Sequence, residues 1–600
     1  MPIVTGRTPG QRVADGLSAA QNPQGPPWID ALMLAVIVAL FGGIVALGKQ
    51  WTGKFQSTVT IDLSLWALPR YTLLTLSRGF AAYFFSLVFT LVYGTAAAHN
   101  RRAEKVMIPV LDIAQGIPVL AFLPGLVLGL VSLFPSSNVG IELACILAIF
   151  TGQAWNMTFS YYGSIRAIPK ELVEVARLHR FGWWRRFTQL EVPSAMIGLV
   201  WNSMMSMAGG WFFLTVVECF TLKDPKTGAE LDFRLPGIGS YMKEAYDEHD
   251  AVAMIGACLA MVAMIVLIDQ LLWRPLIAWA QKFKLEETES AERPTSWVYD
   301  LVRRSRIVAW LKESMRRPSG TGGAGGGVMI EADGDATIGH REATERAERI
   351  AGAAGVFVAA AVGVLALIGG YHLLDMLAQV TLRDWWAIIV ALGWTSLRVI
   401  ATMVVGAAWA VPAGIAIGRS ARLSRILQPV IQVVASFPIP MLFPPIATAI
   451  ALSDIPFGVG CTALMLLGSQ WYILFNVVAG AMAVPQDLRE VAAVYGLTGF
   501  GRFRIVYLSG TFPYLITGLI TAAGGAWNAS IISEFVDRGK KLPPLIAPGI
   551  GSYLYQSFTD GHFHLLAAGV LVLSIMLVML NRLVWKPLYR LADERYALNR

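Results

Sequence analysis

The chain is poor in the residues from which soluble enzymes and disulfide scaffolds are built. Only 15% of its 600 residues are charged, and it holds seven histidines and four cysteines. The cysteines, Cys145, Cys219, Cys258 and Cys461, have no paired spacing, which argues against a thiolate metal site or a disulfide framework. They are expected to pack as small apolar side chains. No predicted span carries His, Asp and Glu at ligand or acid–base spacing, and His179, His249, His562 and His564 fall in loops or at span ends. That pattern argues against a membrane enzyme, and no metal site is expected. No Gly-x-x-x-x-Gly-Lys-Ser/Thr phosphate loop is present, so the chain is not expected to hydrolyse nucleotide by that route. The net charge of +8 is carried between apolar segments and at their ends, a juxtamembrane distribution rather than a nucleic-acid one.

What the chain has instead is apolar length. Hydrophobic residues make up 55% of it. About 20 such residues cross a bilayer core, and runs of this kind recur, clearly at 31–48, 252–272, 356–370 and 565–580. The expectation is an all-α integral membrane protein with about twelve spans. Residues 1–27 are polar and rich in Gly, Gln and Pro. They lack the order of a cleaved signal peptide and are expected to be a cytoplasmic tail.

The sequence is written twice. Pro-Gly-Ile-Gly-Ser-Tyr begins at Pro236 and again at Pro548, and Trp273-Arg-Pro-Leu276 recurs as Trp585-Lys-Pro-Leu588. Pro109, Pro118 and Pro124 recur as Pro429, Pro438 and Pro444, and Arg78 as Arg398. The repeat divides the chain into a first half at 28–281 and a second at 349–600, joined by a polar linker at 282–348 with a Gly-rich run from Ser319 to Gly327. The segment 297–312 is basic with aliphatic and Trp residues, and reads as a membrane-surface helix or a tether. Placing the basic loops inside puts both termini in the cytoplasm with six spans per half, a parallel repeat about an axis along the membrane normal.

The longest cytoplasmic loop of each half has one grammar. It runs over 169–193 and again over 485–513: a Pro with acidic residues, then Glu-Val-Ala, a Gly-containing break, a basic-aromatic segment and a Pro before the next span. This reads as a short helix, a turn and a second helix lying on the membrane face. These loops resemble the EAA loop of binding-protein-dependent ABC importer permeases of the type I fold. Ser396 to Arg398 and the two Gly-Ile-Gly-Ser-Tyr segments are most similar to the nitrate/sulfonate/taurine type. Arg180 stands where the family has Gly, with Gly182 two residues later, whereas Gly496 matches the family position.

The resemblance implies alternating access driven by two copies of a cytoplasmic ABC ATPase, which would hold ATP and Mg while this chain holds no cofactor. It implies a periplasmic or lipid-anchored substrate-binding protein, a bacterial inner-membrane location, and a small anion such as nitrate, a sulfonate or bicarbonate as cargo. The implied ATPase-coupling residues are Glu174, Ala176, Gly182, Glu490, Ala492 and Gly496. Polar residues inside spans mark either a path or helix–helix bonds. The path candidates are Gln115, Gln153, Asn156, Asn202, Gln432, Gln470, Asn528 and Ser530. Trp211, Glu218, Trp527 and Glu534 are candidates for an outer gate, an aromatic belt being the plainer reading. Asp112 is expected to face the pore or to cap, and Arg78 and Arg398 to attract an anion or reach back to the interface. Prolines 118, 124, 438, 440 and 444 are expected to kink or break the third spans. A gradient-driven transporter or channel is the competing reading, and the paired loops argue against it.

Overall fold

The computed structural model describes residues 60–223, 230–283, 296–304, 364, 367–539 and 542–596. The first half contains helices α1 (Leu68–His99), α2 (Arg101–Gly116), α3 (Val119–Leu133), α4 (Val139–Arg166), α5 (Lys170–Leu178), α6 (Trp183–Arg186) and α7 (Val192–Glu218). A two-stranded hairpin, β1 (Thr221–Lys223) with β2 (Glu230–Asp232), leads to α8 (Ile238–Asp247), α9 (Ala251–Ile268) and α10 (Arg274–Ala280). Helices α11 (Trp297–Arg304) and α12 (Leu367–Ala378) follow. The second half repeats the plan with α13 (Leu382–Arg419), α14 (Ala421–Ser436), α15 (Phe443–Ala451), α16 (Phe457–Ala483), α17 (Gln486–Val494), α18 (Gly499–Arg502) and α19 (Ser509–Ser533). It closes with the β3–β4 hairpin (Phe535–Val536, Leu545–Ile546), α20 (Ile550–Thr559), α21 (Phe563–Leu580) and α22 (Lys586–Tyr596).

Among the described residues seven helices are long and apolar enough to cross a membrane, or up to nine if each bent pair is one span. The expected count of about twelve is therefore not reached there. The first expected span, 31–48, and most of 356–370 lie outside the described residues. The same holds for the tail 1–27 and for most of the linker. Helix α11 packs against α10 and buries Val298 while leaving Trp297 exposed; the rest of 297–312 is outside the described residues.

Proline chemistry shapes the third spans. Pro118 separates α2 from α3, and the two helices meet at 95°. Pro438 does the same in the second half, at 69°. Proline lacks an N–H and holds the preceding residue away from the helical region, so the ladder stops there. Asn100 caps α2 by accepting from the N–H groups of Arg102 and Ala103, and Ser420 caps α14 by accepting from Leu423. Within each half the helices before and after the broken span pack together, α1 on α4 and α4 on α7, with α13 on α16 and α16 on α19.

Candidate functional site

Three features repeat in both halves: a buried charge clamp, a loop at one face, and a shared cavity. The clamp explains Pro-Gly-Ile-Gly-Ser-Tyr. Arg78 Nη1 donates to Glu218 Oε1 at 2.9 Å and to the Pro236 carbonyl at 2.8 Å. The Gly239 N–H donates to Glu218 Oε2 at 2.9 Å, and the Ile238 N–H to Thr75 Oγ1 at 2.9 Å. In the second half Arg398 meets Glu534 and the Pro548 carbonyl, Gly551 meets Glu534, and Ile550 meets Thr395, all within 2.7–2.8 Å. A Cβ on Gly237 or Gly549 would lie 2.2 Å from the clamped carboxylate, so only glycine admits the approach. The halves differ at one point: Arg78 also binds Glu142 through Nε and Nη2, where Arg398 has the Gly458 carbonyl instead.

This overturns two expectations. Arg78 and Arg398 neither reach to an interface nor present a free charge to an anion; Arg78 is fully buried and Arg398 nearly so. Glu218 and Glu534 are fully buried too, and Trp211 and Trp527 are 3% and 4% exposed, so the two tryptophans are packed inside the protein rather than set out as an interfacial belt. The carboxylates are unavailable because an arginine and a helix N-terminus already claim them. Thr75, Thr395 and Glu142 were not among the sequence candidates. The threonines carried a usable signal, since each stands three residues before the repeated arginine.

The loops are helix–turn–helix elements. Helices α5 and α17 both end in a left-handed residue, Arg180 (φ 48°) and Gly496 (φ 67°). Each turn is closed by a 6→1 bond, Phe181 N–H to the Ala176 carbonyl at 3.0 Å and Leu497 N–H to the Ala492 carbonyl at 2.9 Å. Ala176 and Ala492 are buried against the protein, while Glu174 and Glu490 lie on exposed faces. Leu178 and Val494, also at matching positions, are 81% and 85% exposed. After the turn, Gly182 caps α6, whose Trp183 and Trp184 rings stack with Phe187. Each loop runs through a π turn, Phe187–Glu191 or Phe503–Leu508, straight into α7 or α19. Movement of the loop is thereby tied to a long helix. Glu191 is held by His99 at the end of α1, and at the matching place Arg419 lies over the Tyr507 ring.

Between the halves lies a cavity of about 120 Å³. Gln115, Asn156 and Asn528 line it, with Tyr472, Phe212 and Ser206. The other path candidates do not. Gln153 is fully buried beside Met207, Asn202 donates to Ser160 and to the Gly198 carbonyl, and Gln470 accepts from Trp409. Ser530 is buried and bonded to the Trp527 carbonyl; Gln432 is half-buried on α14. Interhelical bonding accounts for Asn202 and Gln470, while Ser530 bonds within its own helix. At the end away from the loops a second cavity, about 210 Å³, is lined by both halves, including Pro124, Pro440 and Pro444. There Lys243 of the first half donates to Asp537 of the second at 2.8 Å and to Asp247 at 2.9 Å. Burial opposes the Lys243 charge, but the two carboxylates outweigh it and hold its ammonium above the ordinary lysine range. At the loop end Lys586 pairs with Asp112 across the halves at 2.6 Å, so Asp112 is neither a cap nor a free pore group. Among the described residues no cluster of His, Cys, Asp and Glu suits a metal ion.

Two like helical bundles fused in tandem, with a cavity between them and matched loops on one face, define a duplicated multi-pass membrane permease. The chain belongs to the family of binding-protein-dependent transport system inner membrane components, which it matches twice, over residues 87–272 and 410–585. It is similar to a nitrate import permease of Leptolyngbya laminosa, 29% identical over 28% of this chain and 57% of the relative. A bicarbonate transport permease of Synechococcus elongatus is 26% identical over 28% of this chain and 58% of the relative. An aliphatic sulfonates transport permease of Bacillus subtilis, described as putative, is 25% identical over 32% and 69%. The chain thus spans less than two thirds of the nitrate and bicarbonate relatives it matches.

Proposed function

We propose that this chain supplies both permease halves of an ATP-driven importer of a small anion. In this reading its two halves rock between inward- and outward-open states. The single observation that carries the proposal is the pair of matched loops, each an exposed helix joined by a tight turn to a segment that runs on into a long helix lining the cavity between the halves. Glu174, Ala176 and Gly182, with Glu490, Ala492 and Gly496, would form two docking elements for two copies of an ABC ATPase, which would bind ATP and Mg. The chain itself would have no enzymatic activity. A substrate-binding protein, soluble or lipid-anchored, would deliver the solute at the opposite end, and both termini would lie in the cytoplasm. The anion class follows from the relatives, whose names specify nitrate, bicarbonate and sulfonates.

The test is gentle extraction of the tagged chain from its native membrane. An ABC ATPase recovered at about two copies per chain, and lost when Glu174→Lys and Glu490→Lys are combined, supports the reading. Intact chain recovered without any ATPase, under conditions that preserve other such complexes, overturns it in favour of a gradient-driven carrier.

A further inference from the structure

The cavity between the halves carries several N–H and O–H groups on a largely apolar wall. Among the described residues that line it, none is Lys, Arg, His, Asp or Glu. Three features converge on it. Helix α3, 15 residues long, begins at Val119 on the cavity wall, immediately after the break at Pro118, which brings the positive end of its dipole to that wall. Ser206 also lines the cavity; it is 2% exposed and its Oγ has no hydrogen-bond partner among the described residues. A buried hydroxyl without a partner is costly, and a ligand in the cavity supplies one. Finally, three carboxamides surround the space. Gln115 donates to Asn156 Oδ1 at 3.2 Å, and Asn528 accepts from the Val119 N–H while donating to the Gly524 carbonyl. Each carboxamide has two N–H groups, so these bonds leave donors on all three.

We infer that this cavity holds one small oxyanion at a time, bound by the Ser206 hydroxyl, the N–H groups of Asn156 and Asn528 and the N-terminus of α3. Among the described residues the site contains no cationic side chain. This deepens the anion reading above and rests on it. The volume, about 120 Å³, suits a solute of a few heavy atoms. A lysine or arginine here would hold the anion and slow its exit, whereas neutral donors orient it and let it leave. The site is also one-sided. The repeat that carries Glu218 to Glu534 carries Asn156 to Tyr472 and Phe212 to Asn528. Amide therefore faces phenol and ring faces amide, so the two halves do not offer two equal places.

The experiment uses the full chain reconstituted into vesicles with its ATPase and binding protein, and follows ATP-driven uptake of nitrate, bicarbonate and methanesulfonate. Asn156→Asp and Asn528→Asp should each lower uptake of the accumulated anion at least tenfold, because a carboxylate replaces a donor. Ser206→Ala should lower it several-fold, and Asn528→Lys should lower both KM and kcat. ATPase association should be unchanged in every variant. Uptake within twofold of the unaltered protein in Asn528→Asp and Ser206→Ala overturns the site. Should the unaltered complex bind its ATPase yet accumulate none of the three anions, both the oxyanion site and the anion reading fall, while the permease reading stands. If the Asp variants do not assemble, Ser206→Ala and Asn528→Lys decide the matter alone.

Discussion

Arg78 Nη1 lies 2.9 Å from Glu218 Oε1 across 140 residues of chain, both side chains fully buried. Arg398 and Glu534 reproduce the bond with the same two atoms at 2.7 Å. A buried ion pair of this kind adds modest net stability when intact, but removing one partner leaves an uncompensated charge and costs about 3–5 kcal/mol. In each half the pair tethers the short helix after the hairpin to the first long helix and to the long helix that precedes the hairpin, α1 and α7 or α13 and α19.

The two clamps should therefore fail unequally. Glu534→Ala leaves Arg398 with carbonyl partners only, whereas Glu218→Ala leaves Arg78 bonded to Glu142. Thermal unfolding in detergent should show the larger loss for Glu534→Ala. Equal losses would mean that Glu142 does not share the Arg78 charge.

Exposed apolar tips on the loops should matter to a partner and not to the fold. Leu178→Asp and Val494→Asp change side chains that are 81% and 85% exposed. Melting should be unaltered, and ATPase association should weaken at least tenfold, or about 1.4 kcal/mol. Titration of labelled ATPase subunit against the purified chain measures this.

The turn residues should respond in opposite senses. At φ 67° Gly496→Ala acquires the left-handed penalty of about 1–2 kcal/mol, and Arg180→Gly at φ 48° is relieved of it, less the entropy glycine costs. Hydrogen exchange of the 6→1 amides, Leu497 and Phe181, should quicken in the first variant and slow in the second.

The Lys243–Asp537 contact should hold the halves together at the end away from the loops. The Lys243 pKa is raised in the folded protein, so the pair stabilises the contact fully below the ordinary lysine value of about 10.4 and is lost as pH rises through the higher folded value. Asp537→Asn should remove most of that dependence. A Lys243→Cys, Asp537→Cys pair should crosslink readily and arrest uptake. Uptake unaffected by the crosslink would show that this end does not open.

The class was legible from residues alone because its signals are local or periodic. Bilayer-length apolar runs, prolines that stop a ladder, a glycine at a helix end and a repeat offset each act over a few positions, so spacing reveals them. The partners of the buried charges were not legible. Arg78 finds Glu142 and Glu218 only when three helices meet, and a span-end arginine in isolation reads as a snorkelling one. The same holds for the path. Eight polar residues look alike in sequence, and packing alone decided that Gln115, Asn156 and Asn528 face the cavity between the halves, while Asn202 and Gln470 bond to neighbouring helices and Ser530 turns back on its own. Sequence periodicity determines which residues share a helix; the rotation of each helix against its neighbours, set by close packing at glycine and alanine contacts, determines which of them reach the passage.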